Sequence, residues 1–170
     1  AAEGGLGHCQ CDGPLGGGPE HGDDLETHDM CPIPAAKSYS FTLPASKFNS
    51  TDRIIVTPNS HFDVVMRGNT HHFLVQITAS KIEEAKGGHS FRKARGRGKL
   101  EVNCTTTLSS DVPPAQISVS VGSRTAAPVA HNFSKSSRCS PPCEDEGWDF
   151  RSAVDAASQV PIRVGVRWVE

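Results

Sequence analysis

From Ser38 onward, apolar and polar residues alternate with a period of two, the pattern of strands that bury one face. Tyr39, Phe41 and Leu43 alternate with Ser38, Ser40 and Thr42. Pro44, which cannot donate to a ladder, ends or bulges that run. Ile54-Ile55-Val56 is a short apolar strand stopped by Thr57-Pro58-Asn59. Phe62, Val64 and Met66 alternate with His61, Asp63 and Val65, and Phe73, Val75 and Ile77 resume the phase beyond Arg67-Gly68-Asn69-Thr70. Two alternating runs about a Gly-Asn turn predict a hairpin. Leu100, Val102 and Cys104 form the next run, and Ile117, Val119 and Val121 another, broken by Gly122. The clearest is the last, in which Ile162, Val164, Val166 and Trp168 alternate with Arg163, Gly165 and Arg167. Helical spacing shows once: Phe150, Val154 and Ala157 at i, i+4 and i+7 predict a short helix over 150–157.

Seven to eight short strands with almost no helix predict an all-β fold. Strands that bury one face need a second sheet to cover it, so the expected architecture is an antiparallel β-sandwich over residues 38–169. Its expected core holds Phe41, Phe62, Val75, Ile77, Val102, Val119, Val164 and Val166. Residues 1–34 have a different texture. Gly-Gly and Gly-Pro breakers mixed with acids and histidines leave no apolar period, so this head is expected to be disordered.

Composition narrows the function classes. A formal net charge of -2 with 21% charged residues gives no global field toward nucleic acid or anionic lipid. No apolar run approaches the roughly 18 residues of a membrane span. The start, AAEGGLGHCQ, lacks the basic and apolar regions of a secretory signal. The six cysteines are irregularly placed, unlike a disulfide framework, which points to a reducing compartment, cytoplasmic with the nucleus as a second location. Cys104 falls on the apolar phase of its strand, where a thiol acts as a small hydrophobe.

Two segments carry candidate chemistry outside the strands. Residues 81–99 contain seven basic side chains, densest over 92–97. A nucleic-acid contact there would want stacking rings, and only Phe91 lies within the patch, so a basic surface loop is the expected reading. Cys139 and Cys143 have C-x3-C spacing, which with His131 and an acid suggests a metal site, or in an oxidising compartment a disulfide, but a second ligand pair is missing. The same His131, with either cysteine and Asp145, is the only local grouping that resembles a nucleophile and base, and no motif surrounds it. Neither a cofactor nor catalysis is expected.

The order of these pieces resembles one family. SYSFTLP leads into Lys47-Phe48-Asn49-Ser50, then Thr57 to Phe62, HHFLVQIT, GRGKLEV, AQISVSVG, HNF, Trp148-Asp149-Phe150 and IRVGVRW. This is similar to the MATH domain (meprin and TRAF homology, or TRAF-like), with its N-F-S-type turn, S-P-x-F step and W-G-F element. Leu43-Pro44 stands near the usual tryptophan of the opening strand, and Asp149 replaces the middle glycine of W-G-F. The resemblance covers about Tyr39 to Val169. It implies a non-catalytic interaction module that binds short linear peptides in extended form along a sheet face. Such domains act as adaptors or substrate receptors in ubiquitin-ligase and signalling scaffolds. Carried over strand by strand, it implies a groove formed by Asn103, Ile117, His131, Trp148 and Phe150. Glu144-Asp145-Glu146 would lie at one rim and favour a basic or hydroxyl-bearing ligand. His131 in the groove would make binding depend on pH between about 6 and 7.

Overall fold

A computed structural model describes residues 37–83, 88–143 and 147–169. Its strands are, in order, β1 (Lys37–Pro44), β2 (Ile54–Ile55), β3 (His61–Met66), β4 (Asn69–Ala79), β5 (Arg97–Cys104) and β6 (Ala115–Val121). They continue as β7 (Arg124–Thr125), β8 (Val129–His131), β9 (Arg138–Cys139), β10 (Trp148–Asp149) and β11 (Gln159–Trp168). One sheet runs β1-β11-β6-β7, with β8 also paired to β6. The other runs β10-β5-β4-β2, with β3 on β4 and β9 on β5. Every pairing is antiparallel, and inward side chains from both sheets join in one core, so the fold is an all-β sandwich.

The period-two reading holds where it was strongest. All eight expected core residues are buried, from Val102 and Val164, which are fully so, to Phe41 at 7% exposure. The hairpin closes with Met66 opposite Asn69, which leaves Arg67 and Gly68 as a two-residue loop. Both have positive φ, 49° and 77°, as a type I′ turn requires of the residues that match strand twist. The head, residues 1–34, lies outside the described residues.

The expected helix over 150–157 is not formed. Its spacing offered only Phe150 as a deep anchor, and Val154 is 36% exposed. Asp155 organises the segment instead: its Oδ1 accepts from the Ala157 and Gln159 amides, each at 2.9 Å, which turns the chain into β11. Short polar side chains that bind nearby amides compete with helix in this way.

One cluster fixes the end of the sandwich next to β10. Phe48, from the one-turn 3₁₀ segment Ala45–Asn49, stacks on Phe150 with centroids 4.6 Å apart and planes 10° apart. Phe91, from the basic segment, meets Phe48 edge-on at 5.6 Å. All three rings are completely buried. The backbone beneath them is Gly98, where a Cβ would sit 2.7 Å from the Thr78 carbonyl oxygen, so no larger residue fits without movement. The basic segment is therefore more than a solvated connection. Arg92, Lys93 and Arg95 are exposed, but Phe91 and Ala94 are core.

Candidate functional site

The two sheets end beside one another on edges with no further strand among the described residues: β7 and β8 in the first, β10 in the second. β6 turns at Gly122-Ser123 into β7, and Ala126 still donates to the Val119 carbonyl at 2.9 Å. Pro128 then interrupts the ladder before β8 resumes opposite 115–117. By the alternation of an antiparallel ladder, the Thr125 and Ala127 amides point away from β6. Opposite them, Gly147 enters β10 with φ of 87°, its Cα so close to Gly98 that an added Cβ would lie 2.5 Å from that carbonyl oxygen. This close approach sets Trp148 across from Gly98 and Asp149 across from Arg97.

Between these edges lies a cleft of about 360 Å³. Arg124, Thr125, Ala126 and Ala127 form one wall, and Pro142, Cys143, Gly147 and Trp148 the other. The walls are small and mostly apolar. Trp148 is only 6% exposed, yet its Nε1 has no hydrogen-bond partner among the described residues. An indole N–H in that state is a donor without an acceptor, and a buried unmade hydrogen bond is costly.

The five residues named from the resemblance do not converge. Trp148 alone lines the cleft. Phe150 is sealed in the aromatic cluster, and Ile117 is fully buried on the inward phase of β6, opposite Val166 of β11. Neither side chain can touch a ligand, because the same alternation that marks them as strand residues points them into the core. Asn103 sits on β5 opposite Leu74 of β4, half-buried between the buried Val102 and Cys104. His131 is held by the turn that follows it: its Nε2–H donates to the Ser136 carbonyl at 2.8 Å and its ring meets Phe133 edge-on at 4.6 Å. It is not among the residues that line the cleft. The acidic run 144–146 lies outside the described residues.

The metal and disulfide readings find no geometry either. Cys104, Cys139 and Cys143 are free thiols, and among the described residues no three His, Cys, Asp or Glu side chains come together. Burial pushes the Cys139 thiol up to about 11. No described helix is long and apolar enough to cross a membrane.

The opposite wall, Arg124 to Ala127, was missed from sequence. Its only signal was Pro128 after two small residues, since proline within a strand run marks an edge. Neither a scan of protein-family models nor a search of curated proteins finds a match for this chain.

Proposed function

We propose that the protein is a non-catalytic interaction module that captures a short extended peptide in the cleft between β7 and β10, in the manner of the MATH domains it resembles. The observation that carries this reading is the cleft itself: two strand edges facing one slot, with a largely buried tryptophan whose indole N–H lacks an acceptor. A strand edge offers main-chain donors and acceptors to an added strand, and alternate side chains of that strand enter the slot. At about 360 Å³ the cleft lies near the low end of the roughly 300–1,000 Å³ common for ligand sites. It suits a few small or apolar side chains of a linear motif. An adaptor or substrate-receptor role in a ubiquitin-ligase or signalling assembly follows from the resemblance.

A random-peptide display screen against the full chain tests this. Selected peptides are expected to share a short linear motif and to lose binding in Ala127→Tyr, which fills the slot from an exposed position. Because Ala127 is exposed, that variant should keep its stability within about 0.5 kcal/mol. Enriched peptides that bind Ala127→Tyr as well as the parent would place the ligand elsewhere.

A further inference from the structure

A second recess, about 990 Å³, lies on the other side of β10. Trp148 belongs to the cleft, and its neighbour Asp149 belongs to this trough. Lys81, Lys93, Arg95, Arg97 and Lys99 line it, against the carboxylates of Glu83 and Asp149. The excess is cationic, and it reflects a wider asymmetry: all 17 Lys and Arg residues of the chain lie from Lys37 onward, along with only 12 of its 19 acids.

Two features distinguish this trough from an ordinary basic loop. Its floor is the β4–β5 ladder, with Thr78 opposite Lys99 and Ala79 opposite Gly98. Its far wall is the turn 90–96, pinned from inside by Phe91 and from its backbone by the Asp52 and Ser50 carbonyls at 3.0 and 2.8 Å. The charges are thus mounted on fixed elements, which lowers the ordering cost of binding. Arg95 and Gly96 take left-handed conformations, φ 54° and 75°, as Arg67 and Gly68 do at the β3–β4 turn, and the Gly96 amide closes the turn on the Phe91 carbonyl at 2.8 Å.

We propose that this trough binds an acidic segment of a partner polypeptide through carboxylate or phosphate side chains. The lining favours a peptide over nucleic acid. Phe91 is completely buried, and among the described residues no Trp, Tyr or Phe lines the trough, which leaves the His89 imidazole as the one ring there to stack on a base. The proposal does not rest on the cleft: it concerns different residues, and either site can fail alone.

The test is fluorescence anisotropy on the full chain with three labelled probes: an alternating Glu-Ser peptide, the same peptide with its serines phosphorylated, and oligothymidylate. Binding of a peptide probe is expected to weaken about tenfold or more between ~50 and ~200 mM salt. Arg95→Asn with Lys99→Thr should weaken it about tenfold further. Asparagine tolerates the left-handed backbone and threonine suits a strand, so this variant should melt with the parent. Lys47→Ser with Lys135→Ser removes the same charge at exposed positions outside the trough and should change little. Preference for the phosphorylated probe identifies phosphate as the group recognised, and equal binding identifies carboxylate. No peptide binding, equal loss in both double variants, or tighter binding of oligothymidylate would each overturn the proposal.

Discussion

Trp148 and Phe150 are two residues apart on one short element, both largely buried, and their surroundings differ. Phe150 is enclosed by rings and backbone: Phe48 stacks on it, Phe91 closes the cluster, and Gly98 leaves no space beneath. Trp148 faces a slot walled by alanines, a proline and a half-buried thiol, and its N–H has no acceptor among the described residues. The pair teaches that burial alone does not separate core from site. What separates them is the neighbouring element: other core rings for Phe150, a cleft between strand edges for Trp148.

The largest expected effect lies on the closed side. Phe150→Ala should cost about 3–5 kcal/mol, read by urea or thermal unfolding, because the stacked cluster cannot collapse around the void. A cost near that of an exposed substitution would break the contrast. Gly98→Ala should cost about 1–3 kcal/mol by forcing the added methyl against the Thr78 carbonyl and the Phe91 and Phe150 rings.

A smaller effect belongs to the other tryptophan. Trp168 is also 6% exposed with an unpartnered Nε1, but its neighbour is His71, 5.7 Å away between ring centroids. Burial, and then the charge of His72, lowers the His71 pKa below its usual 6.5. The unfolded chain therefore takes up the proton more readily than the folded one. The contribution to stability is full above pH 6.5 and is lost as pH falls from there through the lowered folded value. His71→Phe should flatten the stability curve below that pH relative to the parent, measured as denaturation midpoints across a pH series. An unchanged slope would mean that the ring is solvated.

The smallest effect carries no stability change. At pH 8 Cys139, with its thiol raised to about 11 and its side chain buried, should stay unreactive toward Ellman's reagent, whereas half-buried Cys143 in the cleft wall should react. Cys143→Ser should then lower the native thiol titre and Cys139→Ser should not. A bulky maleimide on Cys143 should block peptide capture, which sharpens the contrast further.

The sandwich was legible because β1, β3, β4, β5, β6 and β11 are long enough to display period two, and their inward residues are the core. Strands β7 to β10 have two or three residues each, too few for a period to appear. Of these, β7 and β10 border the cleft, so the candidate site was the least readable part of the fold. Phe48 and Phe91 escaped notice as core because they lie in a 3₁₀ turn and a basic segment without alternation. The motif singled out Trp148 and Phe150 together, but it could not say that Phe150 points into the core while Trp148 lines a cleft. The transfer of Ile117 and His131 failed for the same reason: a motif conveys order along the chain, whereas burial and local hydrogen bonds decide which side chains remain available.

The most direct test of the cleft reading follows the two indole N–H resonances in a 15N-labelled sample, assigned by Trp148→Phe and Trp168→Phe. On addition of a display-selected peptide, the Trp148 resonance should shift progressively to saturation as its N–H gains an acceptor or a changed surround, while that of Trp168 stays in place. A peptide that binds and leaves the Trp148 resonance unmoved, or that moves Trp168 instead, would contradict the account.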